Sequence, residues 1–266
     1  MKRALFALTT EEVKMVLAKA VVNLPQVKSA MKHGRVLVSK GTTNAYIANE
    51  LLGINLDPKY YTVGVIAKGS LCAASQHNSP PAVIIKDGKH IEADWVETLK
   101  EFDENDVLIK GANAVDDMGN CGVLLGSGTG GTVGMSFPIV KSRGAHCIIP
   151  VSLGKLVPSV VDAANSLGIN RMDMTYGMPC GMAVVSAGAL IITEIEAFDI
   201  LFDVHAVHVA SGGVCGSEGS VCLVLEGDNE KVEKAFAYVT SLKKQGIKLT
   251  DVDKYEVMLA DVTYKK

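Results

Sequence analysis

Three short runs of wholly apolar residues constrain this chain more than any other feature. They are "VLV" at 36–38, "VLI" at 107–109 and "CIIPV" at 147–151, each bounded by polar or small residues. A strand that faces water on one side alternates apolar with polar positions. A strand apolar at every position fits a sheet covered on both faces. Helical patterns lie between such runs. "TTNAYIANELL" ends at Gly53, and "PSVVDAANSL" ends at Gly168, a residue type that closes helices. Strands alternating with helices predict an α/β fold, with a mostly parallel, Rossmann-like sheet and helices on both faces.

Local signals fill in that frame. Thr9 and Glu12 have capping-box spacing, and Val13, Val16, Leu17 and Ala20 follow on one helical face. "YTVGVIA" (61–67) predicts a second strand, and "PPAVIIKDGKHIEA" predicts a hairpin about Asp87-Gly88. From residue 189 the order becomes strand, helix, two strands about a glycine-rich bend, and a helix capped by Asp228 or Asn229. The expected organisation is an α/β ligand-binding core at 1–178. A small α+β unit of ferredoxin-like character would form a lid at 179–266, with the boundary near "TYGMPCGM".

Composition narrows the function. The chain has 266 residues, a formal charge of -3 and 5% aromatic residues. No broad basic surface is available for nucleic acid or an anionic membrane, and few aromatics are available for base stacking. Six cysteines without a C-x-x-C pair read as reduced thiols of a cytoplasmic protein. The apolar start is too short for a signal peptide, and no run reaches membrane-spanning length. His205 and His208 lie three apart on a strand and point to opposite faces, so no metal site is expected. No cofactor is expected either.

Polar residues cluster where the apolar strands end. Lys40-Gly41-Thr42-Thr43-Asn44 joins a strand to a helix. Such a turn is either an ordinary N-cap, with Thr42 or Thr43 starting the helix, or an anion cradle of backbone N–H groups. "VLIKGANAVDD" leaves its strand through Lys110, Gly111 and Asn113 toward Asp116. The glycine-dense "GSGTGG" follows at 126–131, where Gly128, Thr129, Gly130 and Gly131 would let the backbone approach a ligand. Its spacing is not that of a P-loop. In the tail, Glu218 is the only charge in "SGGVCGSEGS", which is either a solvated hairpin tip or a reactive turn. Cys215 has no evident histidine partner.

In this order, the stretches resemble the superfamily that unites type A ribose-5-phosphate isomerase, glucosamine-6-phosphate deaminase, the CoA transferases and sugar-sensing repressor domains. "KGTTNA" stands where the isomerase has its phosphate turn, and "KGANAVD" (110–116) where it has D-G-A-D-E-V-D. "GSGTGG" stands at its glycine cluster, and "GKLV" (154–157) at S-K-L-V. The resemblance implies phosphate binding at Gly41, Thr42 and Thr43, and substrate contacts from Asp116 and Lys155. It also implies oligomerisation. The departures are specific. Lys110 and Asn113 replace two acids, and Ser127 falls at the lysine of the cluster. Ser136 falls near the catalytic glutamate. Moving a proton between adjacent carbons needs a base, so isomerase activity itself is not expected in unchanged form. "GSEGS" and "GTGG" also resemble transferase motifs, with Glu218 at the glutamate that forms an acyl anhydride.

The resulting expectation is a protein that binds a small anionic metabolite at the carboxyl ends of its strands. That metabolite is a sugar phosphate, a carboxylate or a CoA ester. Gly41 to Asn44 would hold the anion, and Lys110 and Lys155 would add charge. Asn113 and Asp116 would read hydroxyls, and Gly111 and Gly128 to Gly131 would give room. The alternatives are a divergent isomerase, a CoA transferase using Glu218, and a non-catalytic sensor or assembly subunit.

Overall fold

The computed structural model describes residues 1–245. The chain begins with β1 (Lys2–Leu8), α1 (Thr10–Asn23), α2 (Pro25–His33), β2 (Arg35–Val38) and α3 (Thr42–Leu52). Two hairpins follow, β3 (Gly64–Ala67) with β4 (Ser70–Ala73) and β5 (Val83–Lys86) with β6 (Lys89–Ile91). Then come α4 (Trp95–Lys100), β7 (Val107–Ile109), β8 (Ala114–Val115), β9 (Cys121–Leu125), α5 (Gly131–Ser142) and β10 (His146–Pro150). The rest is α6 (Val160–Ser166), β11 (Gly181–Val184), β12 (Leu190–Ile192), α7 (Glu194–Phe202), β13 (His205–Gly212), β14 (Ser220–Gly227) and α8 (Asn229–Lys243).

The central sheet is mixed, with six strands in the order β12-β10-β7-β2-β5-β6. β12, β10, β7 and β2 are parallel, while β5 and β6 run antiparallel at one side. The apolar triplets explain its burial. Val36, Val38, Val107, Ile109 and Ile148 point into one core, which α1 and α3 cover. Leu37, Leu108, Cys147 and Ile149 point into a second core on the opposite face, shared with Val133 and Val140 of α5. The two cores account for strands that are apolar at every position.

A smaller antiparallel sheet, β1-β14-β13, carries α8. Helix α8 is capped by Asp228 and buries Val232, Ala235, Val239 and Leu242. Leu8, Leu223 and Leu225 of this sheet share the first core with the central sheet. Three strand pairings cross the expected boundary between 178 and 179. β1 pairs along its whole length with β14, β12 pairs in parallel with β10, and β11 pairs antiparallel with β9. Residues 246–266 of the expected C-terminal unit lie outside the described residues.

Local chemistry places most elements. At Thr9 the capping box forms, with the Glu12 carboxylate accepting the Thr9 N–H at 2.8 Å. Asp87 and Gly88 both adopt positive φ, as the tight β5–β6 turn requires. The strand expected in "YTVGVIA" forms over Gly64–Ala67 only. It pairs with β4 about a second tight turn at Lys68-Gly69, Ile66 is exposed, and the two strands form a sheet of their own.

Candidate functional site

Parallel strands in register deliver their next residues to one edge. Val38 pairs with Ile109, and Ile109 with Ile148, so β2, β7 and β10 end side by side. The chain leaves β2 toward β5 on one side and returns through β7 on the other. Open α/β sheets take their ligands at the carboxyl ends of strands so arranged.

Each of the three strands sends one lysine to that edge. Lys40 follows β2, Lys110 follows β7, and Lys155 ends the 3-10 turn Leu153–Lys155 after β10. Among the described residues, none of the three has a carboxylate within ion-pair distance. The Lys40 ammonium donates to Gln76 Oε1 and Ser79 Oγ, both at 2.9 Å. Lys110 donates to the Gly111 carbonyl at 3.1 Å, and Lys155 to the Ala112 carbonyl at 2.8 Å. Lys155 is exposed as a residue, but its ammonium end is tucked under the chain at Ala112.

Burial lowers the pKa of all three. For Lys110 it combines with the positive charge of Lys155 to bring the pKa down to about 8. For Lys155 the charge of Lys14 acts in the same direction, while Glu194 opposes it. Lys14 itself is paired with Glu11 at 2.5 Å, and Glu11 also accepts from the Tyr46 hydroxyl on α3. Glu194 is fully buried at the start of α7. It accepts from Ser152 Oγ at 2.7 Å and from the Leu153 N–H at 2.8 Å. Burial nevertheless raises its pKa.

Beside these cations lies the start of α3. Its N-cap is Gly41, with no side-chain cap, so Thr42 and Thr43 lie within the helix and do not cap it. The first-turn N–H groups therefore lie at this edge without a side-chain acceptor. Asn44 is completely buried. Its amide donates to the carbonyls of Ser39 at 2.8 Å and Ile109 at 3.3 Å, which fixes the orientation of the side chain. Its Oδ1 has no hydrogen-bond partner. A Cβ added to Gly111 would stand 3.9 Å from that oxygen, so the orphan acceptor looks toward the backbone that Lys110 contacts.

The structure thus gathers Asn44, Lys110, Gly111 and Lys155 around residues 109–112, with Gly41, Thr42 and Thr43 preceding Asn44 at the start of α3. It places the other expected residues elsewhere. Asn113 is exposed, and its Oδ1 accepts the Leu124 N–H at 3.0 Å within the β8–β9 pairing. Asp116 is buried. Its carboxylate accepts N–H groups from Asn120, Met118 and Val160, together with the Asn120 side chain. Burial works against its charge, but these donors outweigh burial and hold the pKa below the usual carboxylate value. Its four bonds tie the β8–β9 turn to the start of α6.

Gly128 and Thr129 form an exposed bend that leads into half-buried Gly130, the N-cap of α5, and Gly131, its first residue, both at positive φ. No hydrogen bond among the described residues joins this bend to Asn44, Lys110 or Lys155. Glu218 is exposed at the tip between β13 and β14 and accepts the Gly216 N–H at 2.8 Å. The same hairpin abuts the Lys155 turn, for a Cβ on Gly154 would meet the Gly219 carbonyl oxygen at 2.7 Å.

Two clefts lie away from the lysines. One of about 260 Å³ adjoins Lys141, His146 and Gly188, at the opposite end of β10. The other, of about 460 Å³, lies between Thr9, Glu12 and Lys243 on one side and Ser211, Gly213 and Ser220 on the other. Among the described residues, no group of three His, Cys, Asp or Glu side chains is placed to hold a metal ion. No described helix is long and apolar enough to cross a membrane.

Sequence reasoning missed Lys14, Glu194 and the separate role of Lys40. Glu194 carried a readable signal. It follows an apolar strand and precedes a helix in "TEIE", where Thr193 and Glu196 form a second capping box. Lys14 carried none, since it is one of several charges on an amphipathic helix. No family model, curated protein or solved structure matches this chain.

Proposed function

We propose that the carboxyl edge of β2, β7 and β10 binds a small metabolite through a phosphate or carboxylate group. One observation carries this reading: three adjacent parallel strands each end in a half-buried or tucked lysine, and none of the three has a carboxylate partner among the described residues. A cation held away from water without a counterion is unfavourable for the free protein. An anionic ligand supplies the missing charge. The uncapped start of α3 adds backbone donors for the rest of the ligand.

The expected kinship with ribose-5-phosphate isomerase and the CoA transferases is part of this proposal, as is the Rossmann-like reading of the central sheet. Within it, an isomerase-like reaction on a sugar phosphate is one option. Non-catalytic sensing of the same ligand is another. A transferase reaction through Glu218 has weaker support, because that carboxylate is hydrogen-bonded within its own exposed turn.

Calorimetry with sugar phosphates, dicarboxylates and acyl-CoAs tests the reading. A ligand should bind the wild type and bind at least tenfold more weakly to Lys155→Met. Equal affinity for both proteins would refute it. Turnover of any bound ligand separates enzyme from sensor.

A further inference from the structure

Lysines that only stabilise a fold are usually solvated or paired with a carboxylate. Lys110 is neither. It is half-buried at the end of β7, and among the described residues its ammonium has a single acceptor, the neighbouring Gly111 carbonyl. Lys155 stands beside it as a second cation, held in place by Ala112. An amine that must attack a carbonyl is served by two of these features, partial exclusion of water and a fixed neighbouring cation.

We infer that Lys110 forms an imine with a small carbonyl compound that also carries a carboxylate or phosphate. The inference rests on the anion-binding reading above. In the reaction, the Nζ lone pair attacks the carbonyl carbon and the C=O π bond opens to oxygen. A proton passes from nitrogen to that oxygen and gives a carbinolamine. The C–O bond then breaks as the proton that the Lys110 ammonium first gave to solvent returns to the departing hydroxyl, water leaves, and a protonated C=N bond remains. The ammonium form of Lys110 and the carbonyl compound are consumed, and one protonated imine and one water are formed, with no change in oxidation state. Burial and the charge of Lys155 favour the neutral amine near pH 8, where the attack takes place.

Reductive trapping tests this. The protein is treated with borohydride in the presence of pyruvate, 2-oxoglutarate or ribose 5-phosphate and analysed by intact mass and peptide mapping. The expected result is one adduct on Lys110, absent from Lys110→Arg, whose folding is checked by circular dichroism. An adduct with the oxo acids alone identifies the anion as a carboxylate, and one with ribose 5-phosphate alone identifies a phosphate. Labelling spread over several lysines, unchanged in Lys110→Arg, would overturn the inference. Calorimetry with lactate, 2-hydroxyglutarate and ribitol 5-phosphate runs in parallel, because these analogues cannot form an imine. Binding of an analogue without trapping of its carbonyl counterpart would overturn the imine and leave the anion site standing. Neither binding nor trapping would overturn both.

Discussion

The Lys155 ammonium donates to the Ala112 carbonyl at 2.8 Å and so holds its charge next to Lys110. The two lysines come from neighbouring strand exits. Removing the charge at 155 should let Lys110 keep its proton to higher pH. In Lys155→Met, the pH midpoint for acylation of Lys110, followed by peptide mass spectrometry, should rise above that of the wild type. An unchanged midpoint would show that burial alone sets the Lys110 pKa.

Lys110 also links stability to pH. Its folded pKa is about 8, against 10.5 for an ordinary lysine. Between those limits the unfolded chain holds more protons than the folded one, so the contribution of Lys110 to stability rises with pH across that window. Below it, the folded state carries a charge it disfavours. Lys110→Met should therefore be more stable than wild type at pH 7, by on the order of 1–2 kcal/mol once partial exposure is discounted. That advantage should shrink as pH rises toward 10. Urea unfolding at several pH values measures it.

Asn44 and Gly111 separate structural from binding roles. Asn44→Ala removes donors from the buried carbonyls of Ser39 and Ile109 and should cost about 1–3 kcal/mol. Gly111→Ala adds a methyl group at ordinary contact distance from Asn44 Oδ1. It should change stability by less than about 1 kcal/mol while weakening ligand binding, because it fills the space before the orphan oxygen. Thermal melts and calorimetry on the two variants distinguish the effects.

Asp116→Asn tests the structural use of a residue that sequence reasoning placed in the site. A carboxamide has one acceptor oxygen and an amino group that would face N–H donors. With four donors directed at the carboxylate, the loss should be about 2–4 kcal/mol in urea unfolding. Ligand affinity of the folded fraction should be unchanged.

Gly154→Ala should act on the hairpin. Its Cβ would meet the Gly219 carbonyl oxygen at 2.7 Å, so the β13–β14 tip must move away from the Lys155 turn. Faster proteolysis between residues 211 and 220 is the expected readout.

Elements fixed by adjacent residues were legible in the sequence. Thr9 with Glu12, Asp228 before α8, and Asp87-Gly88 each carry their reason within a few positions. The apolar triplets announced a sheet buried on both faces, and the polar residues at their ends announced its edge. What escaped depends on distant pairing. Nothing in "KRALFAL" says that its partner is "SVCLVLEG". Nothing near Asp116 says that its charge will be met by the backbone of Val160. Acidic residues at a strand end look alike whether they read a ligand or hold a turn. Only the positions of the donors tell them apart.

The pairing of β1 with β14 joins positions more than two hundred residues apart. During synthesis, Ala4, Phe6 and Leu8 emerge long before the strand that covers them has been made. Their ladder has no partner until more than two hundred further residues have been made, so folding of the small sheet must wait for the ribosome to deliver Val221–Gly227.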